Sequence, residues 1–163
     1  MITIGEALVW RALSQRGFPM SLDPHRSTPR RHLVPVRRAE VSRRLPVAGR
    51  ITSAMGLRQL SGEARRLHAG IDIAAPEGTP VHATMAGKVV DAGWHHGYGW
   101  LVILDHGDGE QTYYAHLSVI SVVVGRYVNE GDVVGLVGHT GHARGAHLHY
   151  EVRIDHKPIN PMG

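Results

Sequence analysis

From Val47 onward, short runs of Val, Ile, Tyr and Thr are cut by glycine-bearing turns about every ten residues. This punctuation limits the fold more than any other feature. The runs are too short for buried helices, and glycine at each break stops a helix from continuing across it. Candidate strands are 47–51, 79–83, 87–92, 100–105, 111–117, 127–128, 133–137 and 147–154. The turns between them are marked by Pro76–Gly78, Gly97–Gly99, Gly107–Gly109, Gly125 and Glu130–Gly131. With no convincing helix in this stretch, the expectation is a mainly β domain over residues 47–163. It is a small antiparallel sheet, sandwich-like or barrel-like.

The first 46 residues have a different texture. Pro19, Pro24, Pro29, Pro35 and Pro46 interrupt any regular element, and three Arg–Arg pairs (Arg30–Arg31, Arg37–Arg38, Arg43–Arg44) repel one another. Leu8, Ala12, Val9 and Leu13 allow a short amphipathic helix over 3–15; the rest of the leader is expected to be irregular. Charge divides the chain in the same way. Residues 1–66 carry 13 Arg against four acids, and residues 67–163 carry five basic residues against ten acids. A basic arm of this kind can contact anionic surfaces, from lipid to wall polymer. No specific nucleic acid is expected as a partner, because the tract lacks interleaved aromatics on which bases could stack.

Composition removes other classes. At 42% hydrophobic the chain can bury a core, and no apolar run reaches the roughly 20 residues of a transmembrane segment. The absence of cysteine excludes disulfides, thiolate metal sites and a cysteine nucleophile. A signal peptide is not legible, since Glu6 and Arg11 break the first apolar stretch and no basic residue precedes it. Oligomeric state is not readable from the sequence.

Thirteen histidines remain to be explained, eleven of them from His68 onward. The first cluster is His68-Ala-Gly-Ile-Asp72. Four extended residues span ~13 Å, so the two side chains meet only if the strand kinks or bulges at Gly70. A simple His–Asp hydrogen bond at a strand end is the plainer alternative. The second cluster is His147-Leu-His149-Tyr-Glu151. Strand alternation places His147, His149 and Glu151 on one face, and Leu148, Tyr150 and Val152 on the other. One imidazole could then hold a metal while Glu151 orients a ring through its second nitrogen, or the row could be an ordinary solvated face. The third is Tyr114-Ala-His116-Leu, where alternation puts Tyr114 with His116 and Tyr113, Ala115 and Leu117 opposite.

Together the clusters suit a hydrolytic zinc site. Such sites take three ligands from His and carboxylate and leave a position open. Spare imidazoles move protons near neutral pH. The chain has no HExxH, so a helix-borne site is excluded.

In order and spacing, His68-x-Gly-x-Asp72, Tyr114-x-His116-Leu117 and His147-x-His149-x-Glu151 resemble the signature of the M23 (lysostaphin/LytM-type) metallopeptidases. The resemblance runs from about Gly49 to Pro161 and includes Arg50–Arg58 and Gly138–Gly145. It implies one zinc ion per chain and cleavage of peptide bonds in peptidoglycan cross-links or stem peptides. His68, Asp72 and His149 would be the ligands. His116 and His147 would be the catalytic pair that activates water and steadies the oxyanion, without a decision as to which does which. All five positions are filled here, whereas relatives that regulate other hydrolases typically lack some.

The departures from the family pattern are Met55, Trp100, Ala146 and Arg144, where Phe, Asn, Pro and a small hydroxyl residue are common. Trp100 and Arg144, with Tyr114 and Glu151, are the further groove candidates. The resemblance places the site of action in the periplasm, the cell wall or outside the cell. A non-catalytic module that binds wall or regulates another hydrolase is the alternative reading.

Overall fold

The computed structural model describes residues 45–58 and 66–163, and every element among them is a strand. The leader helix expected at 3–15, and the irregular leader as far as residue 44, lie outside the described residues. Twelve strands follow in order: β1 (Arg50–Ser53), β2 (Gly56–Arg58), β3 (Arg66–His68), β4 (Ile71–Ala74), β5 (Pro80–His82), β6 (Gly87–His95), β7 (Gly99–Gly107), β8 (Glu110–Ile120), β9 (Tyr127–Val128), β10 (Val133–Val137), β11 (His147–Ile154) and β12 (Lys157–Ile159). The mainly β expectation holds, and 127–128, 133–137 and 147–154 match their strands end for end. The run at 47–51 starts later, at Arg50, and β2, β3, β4 and β12 were not foreseen as strands.

Ten strands form one antiparallel sheet whose main path runs β1-β4-β11-β8-β7-β6-β9, while β2 and β3 make a separate ribbon. The eleven-residue β8 organises it. Its first half lies between β7 and β11, and its second half pairs with β10, which in turn pairs with β5. One face carries the core: Ile71 and Ile73 of β4, Leu148, Tyr150 and Val152 of β11, Val102 and Leu104 of β7, and Tyr114 and Leu117 of β8. The period-2 alternation of these strands separates that apolar face from a polar one on the same sheet. Tyr114 and Tyr150 keep their hydroxyls satisfied inside the core. Thr84 Oγ1 lies 3.1 Å from one and 2.9 Å from the other.

The break in alternation falls on β8. Between Tyr114 and Leu117 the strand runs three positions, while β7 opposite runs only two, from Val102 to Trp100. The extra residue is accommodated at His116, whose φ of 61° is left-handed. Its amide donates to the Tyr98 carbonyl at 2.8 Å rather than to the ladder. Tyr114 therefore points into the core, as Leu117 does, and does not share a face with His116 as simple alternation expected.

A candidate metal centre on the polar face

Three elements deliver the site. β3 ends at His68, the chain turns through Ala69–Gly70, and β4 begins at Ile71, so His68 and Asp72 stand on separate short strands bent toward one another. Gly70 is required at the bend: a Cβ there would collide with the Tyr150 carbonyl oxygen and lie 2.8 Å from Glu151 Cγ. β4 pairs with β11 so that Asp72 is opposite His149, and directly opposed residues share a face.

The ligand-type atoms converge. Asp72 Oδ1 lies 3.0 Å from His68 Nε2 and 2.8 Å from His149 Nδ1, and the two nitrogens are 3.1 Å apart. The opposite ring nitrogens are committed elsewhere. His68 Nδ1–H donates to the Ala54 carbonyl at 2.9 Å, and His149 Nε2–H donates to Glu151 Oε1 at 2.9 Å. With both rings neutral, those bonds leave three lone-pair atoms facing one another, an arrangement that needs a cation between them. His68, Asp72 and His149 are the one group among the described residues with metal-binding geometry, and a two-imidazole, one-carboxylate set fits zinc.

Among these groups alone, the electrostatics favours an ionised Asp72 and a protonated His149. Burial opposes the Asp72 anion, but hydrogen bonds from His149 and His68 outweigh it and hold the carboxyl well below its ordinary range. Burial likewise disfavours a charged His149. The bonds to Asp72 and Glu151 overcome this and raise its pKa.

Glu151 is fully buried and sits at the centre of a second layer. Besides His149, it accepts from Tyr98 Oη–H at 2.8 Å and from Arg153 Nε–H at 2.7 Å. Burial would neutralise Glu151, yet these bonds, with His149 first among them, keep its pKa low. Arg153 in turn lies over the Tyr113 ring, 4.2 Å from its centroid. Tyr98 is pushed up to about 12, first by burial and then by the Glu151 charge.

His116 and His147 stand beside the cluster with ring centroids 4.7 Å apart. His116 Nδ1–H donates to the Thr140 carbonyl at 2.7 Å, and His147 Nδ1–H donates to the Gly145 carbonyl at 2.8 Å. Each ring so held presents Nε2 as its acceptor; that of His147 is 3.8 Å from Asp72 Oδ1. Burial lowers the pKa of His116 to about 4, helped by His147 and His149 and only partly offset by the Thr140 bond.

A cavity of about 420 Å³ opens over these groups, lined among others by His68, Asp72, His116, His147, His149 and Glu151. Arg144 lines it too. Trp100 and Tyr114 do not. Tyr114 is in the core, and Trp100 is exposed, with its ring edge-on to Trp94 at 5.5 Å. Tyr98 and His142 line the cavity without having been singled out from the sequence. Tyr98 could have been suspected from the Gly97–Gly99 turn that brackets it, and His142 from its place in the Gly138–Gly145 stretch, whereas nothing in the sequence marks Arg153.

Comparison with known proteins agrees with this construction. The model of Peptidase family M23 matches residues 66–161. The DD-carboxypeptidase/endopeptidase Mpg of Neisseria meningitidis is 50% identical over 97 residues, covering 60% of this chain and 22% of that protein. A zinc-containing peptidase from Vibrio cholerae superposes with a TM-score of 0.70 at 33% identity, covering 73% of this chain and 38% of that one. The catalytic domain of lysostaphin from Staphylococcus simulans gives a TM-score of 0.65 at 34% identity, covering 70% and 90%. This is an antiparallel β domain of the metallopeptidase class. The chain belongs to peptidase family M23.

Proposed function

We propose that the chain is a zinc-dependent endopeptidase that cleaves peptide bonds in peptidoglycan cross-links or stem peptides. The convergence of His68 Nε2, Asp72 Oδ1 and His149 Nδ1, with both rings fixed through their opposite nitrogens, is the observation that carries the reading. Relatives described as DD-endopeptidases support the substrate class, and with it a site of action outside the cytoplasm. One zinc ion would be held by His68, Asp72 and His149. When bound, it supplies Lewis acidity that makes water a better nucleophile and polarises a carbonyl.

The chain's own residues do the rest. His116 stays neutral through the physiological range, and its Nε2 accepts a hydrogen bond that fixes the attacking water. His147, less buried and beside Asp72, takes the proton and returns it to the leaving amine. Glu151, held by Tyr98 and Arg153, keeps the His149 ring in register.

The test is digestion of purified sacculi of both cross-link chemistries by the zinc-loaded chain and by His147→Ala, read by mass spectrometry. New peptide ends from the wild type alone are expected. Intact sacculi after incubation with demonstrably zinc-bound wild type would overturn the reading.

A further inference from the structure

We infer that the far end of the sheet's polar face, where β9, β6 and β7 lie side by side, is a binding site for a pyranose ring of an amino-sugar chain. The inference concerns binding and stands whether or not the chain cleaves peptides.

Core residues fix which way this end of the sheet faces. Val128, Val89 and Leu104 are buried in the core, so their strand neighbours Tyr127, Lys88 and Asp105 stand on the opposite side, the side that carries His149 and Glu151. Tyr127 is paired with Lys88, and Lys88 with Asp105, which makes one row across three strands. The row runs on through Gln111 to Arg153 on β11. Four strand spacings separate β9 from β11, which makes the row roughly 19 Å long. A second cavity, of about 480 Å³, opens beside Lys88, Val90, Asp105, His106 and Tyr127. That volume lies within the ~300–1,000 Å³ of small-molecule sites. Its wall is held in place. His106 Nδ1–H donates to the Ala86 carbonyl at 2.9 Å, and its Nε2 lies 2.8 Å from Thr112 Oγ1. Glycine is required at position 87 beside that ring, since a Cβ there would lie 2.6 Å from His106 Nδ1.

The groups that line this cavity suit a neutral, polyhydroxylated ligand. Asp105 Oδ1 accepts from the Gly107 N–H at 2.8 Å, and its Oδ2 has no partner among the described residues. Lys88 is its cross-strand neighbour, yet the two form no ion pair. Opposite charges left side by side disfavour simple ions: an anion drawn by Lys88 is repelled by Asp105, and a cation the reverse. Sugar substituents use both, since the carboxylate accepts from hydroxyls and the ammonium donates to a hydroxyl or an acetamide oxygen. Tyr127 is 75% exposed, and with Val90 it offers an apolar surface for the C–H face of a sugar ring. A zwitterionic amino acid would meet both charges but leave Tyr127 and Val90 uncovered. A sugar chain held here lies on the same side of the sheet as the metal centre. A peptide branch of that chain therefore starts on the side where the cleft opens.

The experiment titrates the full zinc-loaded chain with a short oligomer of N-acetylglucosamine, which carries no peptide for the metal centre to cleave. Affinity is measured by calorimetry, and the site is mapped by amide chemical shifts. Wild type should bind, with shifts centred on Gly87, Lys88 and Gly107. Tyr127→Ala and Asp105→Asn should each weaken binding about tenfold, and Lys88→Gln by less. Tyr127→Ala alters an exposed side chain, and Asp105→Asn keeps an acceptor for the Gly107 N–H, so both variants should fold. Trp94→Ala, six positions further along β6 in the exposed pair with Trp100, should bind like wild type. Absence of binding by wild type at millimolar oligomer overturns the inference. So does an affinity unchanged in Tyr127→Ala, or one lost in Trp94→Ala alone. Free diaminopimelate that shifts the same amides while the oligomer does not would overturn it too, in favour of an amino-acid pocket.

Discussion

His116 couples an unfavourable backbone conformation to an unusual ionisation state. A non-glycine residue at a φ of 61° is disfavoured, and here the cost is offset by two hydrogen bonds, from its amide to Tyr98 and from its ring to Thr140. The buried ring has a folded pKa of about 4 against 6.5 when exposed, so the unfolded chain protonates first as the pH falls. The stability carried by the neutral ring is thus complete above about pH 6.5 and is lost as pH falls toward 4; the shift corresponds to at most ~3 kcal/mol. In urea titrations of metal-free protein, the stability gap between wild type and His116→Gln should narrow by up to that amount between pH 7 and pH 4. A gap that is constant with pH would mean that the ring is not neutralised by burial.

Glu151 allows a second prediction at this scale. Removing it leaves Arg153 charged over Tyr113 and strips His149 Nε2 of its acceptor. Glu151→Ala should cost about 3–5 kcal/mol in folding, as expected when one member of a buried ion pair is deleted. Glu151→Gln should fold better than Glu151→Ala yet bind zinc roughly 10–100-fold more weakly than wild type, because the His149 ring is no longer anchored by a charged acceptor. Chemical denaturation and competitive zinc titration read the two effects separately.

At the scale of elements, period-2 alternation was legible wherever a strand pairs regularly on both sides. β11 is the clearest example: His147, His149 and Glu151 fall on the polar face, and Leu148, Tyr150 and Val152 in the core, as its sequence implies. β8 defeats the same rule, because its bulge is specified by its partners and not by a glycine or proline of its own. Tyr114 was therefore assigned to the groove when it belongs to the core. β2, β3 and β4 were missed for a related reason: strands of three or four residues lack the length for a periodic signal, and they are defined by tertiary pairing. The kink at Gly70 was readable, since the side chains of His68 and Asp72 cannot otherwise meet. Gly70→Ala tests that bend. A methyl group facing the Tyr150 carbonyl and Glu151 must push the β3–β4 corner away from β11. It should destabilise the domain by about 1–3 kcal/mol and weaken zinc binding disproportionately, because the displacement separates His68 from His149. Equal zinc affinity in the variant and the wild type would show that the corner has slack.

Across the whole molecule, the centre ties together parts of the chain that are remote in sequence. His68 and His149 lie 81 positions apart, and Asp72 and His149 lie 77 apart, so a metal held by the three closes a loop containing most of the described sheet. The β6–β7 and β7–β8 ladders are local hairpins, but those that assemble the ligands are not. β11 lies between β4 and β8, and β8 reaches β10, so folding must bring distant strands together before the ligands can assemble. Zinc would then bind the folded chain in preference to the unfolded one and stabilise it by mass action, by ~4 kcal/mol at a thousandfold excess over Kd. For a domain of this size the melting temperature should rise by roughly 10–15 °C. The rise should vanish with a chelator and in His149→Ala. It should persist in His147→Ala, whose ring is assigned to proton transfer and not to ligation. Calorimetric scans of the three proteins with and without zinc separate ligand from catalytic histidine with no activity assay. A zinc-dependent rise lost equally in both variants would place His147 among the ligands instead.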